Sequence, residues 1–122
     1  MKKVLIAEDN AVNRELLREL LEMRGYEVTE ACDGQEALLK IAEARPDILL
    51  LDLGMPVLDG FGTVHKIREN PSLNSMPVLA VTAYAMRDDK DKALKSGFDG
   101  YLSKPIDPKA LDRELARLLQ QR

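Results

Sequence analysis

The chain runs to 122 residues, 45% of them hydrophobic and 32% charged, with a formal net charge of −3. That length suits one domain, which buries roughly two-thirds of its unfolded surface, and the mildly acidic, interspersed charge offers no basic face for nucleic acid. No run approaches the roughly 18 apolar residues of a membrane span, and the opening MKKVLIAED turns acidic after four apolar residues, too few for a signal peptide. A cytoplasmic protein that engages neither membrane nor nucleic acid is expected.

Val4 to Ala7 is an apolar run closing on Glu8, Asp9 and Asn10, as a strand buried on both faces would read. From Ala11 to Arg24 the apolar residues Val12, Leu16, Leu17, Leu20, Leu21 and Met23 recur at helical spacing, and Gly25 stops that helix. Tyr26 to Ala31 alternates weakly, predicting a less buried second strand. Asp33-Gly34 turns the chain into a helix carrying Ala37, Leu38, Ile41 and Ala42. Arg45-Pro46 ends it, because the residue before proline leaves the helical region. Ile48 to Leu51 is the third strand, with Asp52 at its carboxyl end. A loop over 53–58 leads to a helix from Asp59 to Asn70 bearing Phe61, Val64 and Ile67. Met76-Pro77 introduces a fourth strand, Val78 to Val81, ending at Thr82. The helix expected over Met86 to Ser96 has few apolar anchors beyond Met86, Ala93 and Leu94, and Gly97 caps it. Tyr101-Leu102 is a short fifth strand running into Ser103-Lys104-Pro105. The last helix, Pro108 to Gln121, has Asp107 as its N-cap and places Leu111, Leu115, Leu118 and Leu119 on one face.

Strands and helices thus alternate through the chain, the pattern of an α/β, doubly wound parallel sheet. A flavodoxin-like (βα)5 sandwich of strand order 2-1-3-4-5, with helices on both faces, is expected. Residues 1–122 read as one domain without linker, repeat or low-complexity tract. The single cysteine, Cys32, excludes an internal disulfide and fits a reducing compartment. It is expected to be a buried or half-buried inert thiol.

In such sheets ligands bind beyond the carboxyl ends of the strands, where the strand order reverses. Those ends carry Glu8, Asp9 and Asn10, then Asp52, then Thr82, then Lys104. Carboxylates crowded in a poorly solvated pocket repel one another and need a cation. Oxygen-only ligands favour a hard one, and a small site that keeps several waters suits Mg2+ better than Ca2+. The Thr82 hydroxyl and the Lys104 ammonium can bind phosphoryl oxygens, and an aspartate can itself be a nucleophile that forms an acyl phosphate. Taken singly, Asp52 reads as a turn cap, Thr82 as a turn residue, Lys104 as a loop lysine and Tyr101 as a half-buried strand aromatic. Their coincidence at one sheet edge is what points to chemistry. His65, the only histidine, is expected to be solvated.

Four segments in this order and spacing, LIAEDN (5–10), LLLDLGMP (49–56), VLAVTA (78–83) and GYLSKP (100–105), resemble the receiver domains of two-component response regulators. The resemblance covers essentially the whole chain. It implies Asp52 as the phosphoacceptor and Mg2+ held by Glu8, Asp9, Asp52 and the backbone carbonyl of Gly54, with Mn2+ able to substitute. It further implies Thr82 and Lys104 on the phosphoryl group, Tyr101 as an aromatic that moves with Thr82 on switching, and a cis Lys104–Pro105 peptide. A histidine kinase or histidine phosphotransfer protein would be the donor. The downstream protein target would bind the face of the fourth helix, fifth strand and fifth helix. The molecule would be a monomer or a weak phosphorylation-dependent dimer.

The nearest likenesses are stand-alone single-domain regulators of the cell-polarity type and the receivers of hybrid kinases, so no output domain is expected. Such a chain is a phosphoacceptor switch rather than an enzyme, beyond slow self-catalysed phosphotransfer and dephosphorylation. Glu8 stands where many receivers have a second Asp, and Gly54 leaves the position two past Asp52 without a side chain. Two other classes share such a sheet. A haloacid-dehalogenase phosphatase would carry another Asp where Gly54 stands, and a cap insertion. A flavodoxin-like FMN carrier would need a hydroxyl- and glycine-rich loop where Glu8-Asp9-Asn10 repels phosphate.

Overall fold

Runs of Val, Leu and Ile with no polar break need cover on both faces, and the chain supplies it with a helix after every strand. The computed structural model describes residues 2–83 and 87–120, with the backbone alone for 87–89. Its elements are β1 (Lys3–Ala7), α1 (Ala11–Glu22), β2 (Glu27–Ala31), α2 (Gly34–Glu43), β3 (Ile48–Leu51), α3 (Gly60–Glu69), β4 (Val78–Thr82), α4 (Arg87–Ser96), β5 (Gly100–Ser103) and α5 (Pro108–Gln120). All pairings are parallel and the order is β2-β1-β3-β4-β5, the flavodoxin-like order expected.

Alternate strand residues feed two cores. Leu5, Ala7, Leu49, Leu51, Val78 and Ala80 pack with Ala37, Ile41, Val64, Ile67 and Ala93 of α2, α3 and α4. Val4, Ile6, Ile48, Leu50, Leu79 and Val81 pack with Leu17, Leu21, Leu111, Leu115 and Leu118 of α1 and α5. Polar residues start the helices. Asn10 Oδ1 accepts from the Asn13 N–H, Asp33 from Glu36, Asp59 from Gly62 and Asp107 from Lys109, each satisfying an orphan donor of a first turn. Gly25 ends the α1 turn with φ +85°, a conformation glycine adopts freely.

Several expectations shift. β2 begins at Glu27 rather than Tyr26, because the Tyr26 N–H is taken by Leu21 O in the closing turn of α1. Cys32 is exposed rather than buried or half-buried: it lies one residue past the end of an edge strand, where the chain turns toward α2. In α1 only Leu17 and Leu21 are buried, while Val12 and Leu16, and Met23 just past its end, face outward. The helix carries more apolar positions than the sheet can cover. Leu16, Leu20 and Met23, facing Pro105 and Ile106, line an apolar groove of about 390 Å3 with Lys104 in its wall. In α4, Ala93 is buried and Leu94 is exposed. Met86, the expected first anchor of that helix, and Gln121, the expected end of the last, lie outside the described residues. Among the described residues no helix is long and apolar enough to cross a membrane.

Candidate metal and phosphoryl site

The strand order reverses between β1 and β3, so the residues leaving those two strands face one crevice. Glu8 follows β1 and is 2% exposed; Asp52 follows β3 and is 9% exposed. Sheet hydrogen bonds hold both backbones, Glu8 N–H to Ala31 O and Asp52 N–H to Ala7 O, each at 3.0 Å. Asp9 is exposed at the rim, and one carboxylate oxygen from each of Glu8, Asp9 and Asp52 lies within 4.8 Å of the others. Lys104 enters from the end of β5. Its Nζ donates to Glu8 Oε1 and, at 3.2 Å, to Asp52 Oδ2. The Gly54 N–H donates to Asp52 Oδ1 at 3.1 Å.

Burial pushes the Glu8 carboxyl above its ordinary value, against the hydrogen bonds from Lys104 and Asn10 that lower it, and the nearby Asp52 charge raises it further. For Lys104, burial acts downward, but the hydrogen bond to Glu8 and the charges of Asp52 and Glu8 outweigh it and hold the amine above its ordinary value. Lys104 is therefore a fixed ammonium that already compensates part of the acidic charge.

The donor set fits a hard cation. Neighbouring oxygens on an octahedral Mg2+ stand about 3 Å apart and opposite ones about 4 Å, so a trio within 4.8 Å closes by small side-chain rotations. Two of the acids are buried and the third is open to solvent, which leaves room for retained waters.

The structure brings Glu8, Asp9, Asp52 and Lys104 together and puts Gly54 beside them. Thr82, the last residue of β4, is buried at the next strand end, and its carbonyl accepts the Lys104 N–H at 2.8 Å. The Lys104–Pro105 peptide is cis. Tyr101 is half-buried on β5 and packs against the core beneath α2, α3 and α4. His65 is exposed and pairs with Glu69 at 3.4 Å.

Three features of the site have no signal in the sequence reading. A Cβ on Gly60 would come within 2.5 Å of Asp52 O, so only glycine lets α3 start this close to the phosphoacceptor candidate's backbone. Val57 has φ +67° and centres a tight turn in which the Leu58 N–H donates to Pro56 O at 2.7 Å. Arg14 reaches from α1 to the Glu8 carbonyl, at 2.8 Å. The first needed an α3 position, the second a backbone angle and the third a packed helix, none of which periodicity supplies.

Residues 4–116 match the response regulator receiver domain family. The polar-differentiation response regulator DivK of Brucella anthropi is 40% identical over 105 residues, covering 86% of this chain and 85% of that protein. Hybrid signal transduction histidine kinase I of Dictyostelium discoideum is 44% identical over 117 residues, which are 90% of this chain and 7% of the kinase. Among solved structures, the receiver domain of sensor histidine kinase PA1611 from Pseudomonas aeruginosa PAO1, crystallised with a magnesium ion coordinated in its active site cleft, superposes with a TM-score of 0.90 at 34% identity, covering 98% of each chain. With the strand order, the acid crevice and these likenesses in agreement, the chain belongs to the response regulator receiver domains, the phosphoryl-accepting switch modules of two-component signalling.

Proposed function

We propose that Asp52 is the phosphoacceptor, taking a phosphoryl group from a phosphohistidine of a histidine kinase or phosphotransfer protein, and that residues 1–122 act as one receiver unit. The observation that carries this reading is a nearly buried aspartate at the strand-order reversal, with an ammonium 3.2 Å from one of its oxygens. In the transfer, an Asp52 oxygen forms the new P–O bond as the P–N bond breaks. The electron pair of the P–N bond leaves with the imidazole, which takes up a proton. Lys104 then trades its contact with Asp52 for a phosphoryl oxygen, and the Thr82 hydroxyl donates to another. Glu8, Asp9, Asp52 and the Gly54 carbonyl would hold Mg2+, or Mn2+ in its place. When bound, the ion neutralises charge on the phosphoryl oxygens.

Drawing Thr82 and Lys104 toward phosphate pulls on the ends of β4 and β5, and Tyr101 lies between Gly100 and Leu102 on that second strand. The face of α4, β5 and α5 is thereby the surface that a target protein distinguishes between the two states. A protein donor is favoured by the apolar groove beside α1, which has Lys104 in its wall and can seat a helix carrying the phosphohistidine.

The test is intact-protein mass after incubation with a small acyl phosphate. One phosphoryl group is expected on the wild type when Mg2+ is present, and none without Mg2+ or on Asp52→Asn. An adduct of equal yield on Asp52→Asn would sink the assignment.

A further inference from the structure

We propose that Arg14 is a positioning residue for the cation site, bracing the turn between β1 and α1 so that Glu8 and Asp9 present their carboxylates together. This rests on the reading of those acids as metal ligands. The Arg14 side chain is 19% exposed. Its NH1 group donates to the Glu8 carbonyl at 2.8 Å, and its Nε lies 3.5 Å from Glu30 Oε1 on β2. That carbonyl belongs to the peptide joining Glu8 to Asp9, so the orientation of this one peptide plane sets the direction in which both acidic side chains leave the chain.

The brace has a back wall. Glu30 Oε2 accepts from Arg18 NH1 at 2.8 Å, and Glu30 O accepts from Lys40 Nζ of α2. Glu30 is therefore held by its carboxylate to α1 and by its backbone carbonyl to α2. On the near side, the Asn10 N–H donates to Glu8 Oε2 at 3.1 Å, while Asn10 O accepts the Arg14 N–H at 2.9 Å. The N–H bond to Asn10 is the first bond of the helix and any residue but proline supplies it; what arginine adds is the side-chain bond to the Glu8 carbonyl.

Charge and geometry make opposite demands here, which separates the two roles. As a nearby positive charge, Arg14 opposes a divalent cation, so removing it would tighten binding on Coulomb grounds alone. As a brace it assembles the ligands, so removing it weakens binding. Groups that orient metal ligands without touching the metal typically change affinity by about 10–100-fold.

The experiment is calorimetric titration with Mg2+ alone, with Tm measured in parallel. Arg14→Ala is expected to weaken Mg2+ about tenfold. Arg14→Lys, which keeps a donor able to reach the Glu8 carbonyl, is expected to recover most of the affinity. Arg18→Ala, which loosens the Glu30 anchor but leaves the Arg14 bond to the Glu8 carbonyl in place, is expected to weaken Mg2+ by clearly less than Arg14→Ala does. Arg14→Met keeps the aliphatic stem and is read in place of Arg14→Ala if the latter fails to fold. Wild-type or tighter affinity in Arg14→Ala or Arg14→Met overturns the inference, as does equal weakening in Arg18→Ala. A wild type that binds no Mg2+ overturns the metal-site reading itself, and the inference with it.

Discussion

At its nearly buried strand end each Asp52 oxygen has a donor, the Gly54 N–H on one side and the Lys104 ammonium on the other. The loop that follows absorbs the strain of turning away from it. Val57 is 82% exposed, so its side chain packs little, yet it holds φ +67°, where a β-branched residue clashes with its own backbone. Val57→Gly removes that clash, which costs about 1–2 kcal/mol, and returns up to about 1 kcal/mol of it through the freer unfolded chain. The expected outcome is a net gain near 0.5–1 kcal/mol, read as a Tm about 2–5 °C higher. A lower Tm would show that the turn is not strained. Its one-residue signature is invisible to pattern reading, since valine at that position looks like any solvent-facing loop residue.

At the scale of elements, the carboxyl end of the loosely anchored α4 is tied to its neighbours through one arginine of α3. Arg68 of α3 donates to Gly97 O at 2.9 Å, Asn74 O at 3.0 Å, Met76 O at 2.8 Å and Asp99 Oδ2 at 2.8 Å. The same Asp99 oxygen accepts the Val78 N–H at 2.8 Å, so one guanidinium joins α3, the entry to β4, the end of α4 and the entry to β5. Toward its middle, α4 is held by the buried Ala93 and by Lys92 Nζ lying 4.7 Å from the centre of the Phe61 ring. Arg68→Ala takes the guanidinium from three carbonyls and from a carboxylate that keeps the Val78 N–H, and a loss of about 2–3 kcal/mol is expected. The urea midpoint should fall with an unchanged slope. Arg68→Lys should recover little, because a point charge cannot serve that many acceptors at once. A midpoint equal to wild type in Arg68→Ala would show that the network contributes nothing net.

Across the whole molecule, the sheet is a rigid partition between two cores, and the edge that carries β5 is fastened to α5 by polar contacts. Glu114 accepts from Arg117 Nε at 3.0 Å and NH2 at 2.8 Å, and Arg117 NH2 donates to Asp99 O at 2.9 Å. The Arg117 hydrogen bond holds the Glu114 carboxyl below its ordinary 4.5, with burial opposing and the Arg117 and Lys90 charges and the Tyr101 backbone N–H assisting. A folded-state value below the unfolded one adds stability that is complete above about pH 4.5 and disappears as pH falls through the lowered value. Glu114→Gln should therefore be less stable than wild type near pH 6, by under about 1 kcal/mol because water screens an exposed pair. The gap should close below the lowered value, checked by Tm of both proteins across pH 3–6. A gap that stays constant with pH would remove the ion pair as its cause.

What the chain alone determined follows from periods and punctuation. Apolar runs with no polar break dictated a two-sided parallel sheet, and Gly25, Pro46 and Gly97 cut the helices close to where they end. The acids after the first and third strands needed only the parallel topology to become neighbours, so Glu8, Asp9 and Asp52 were legible as a group, with Lys104 at another strand end. The tertiary structure decided what depends on packing between elements distant in sequence. It turned Val12, Leu16 and Met23 outward because α1 has more apolar surface than its share of the sheet. It exposed Cys32 at an edge, and it spent Lys104 on Glu8 as well as Asp52. It also aimed Arg14 and Arg68 at backbone carbonyls, since a carbonyl becomes a partner only once the fold has placed it.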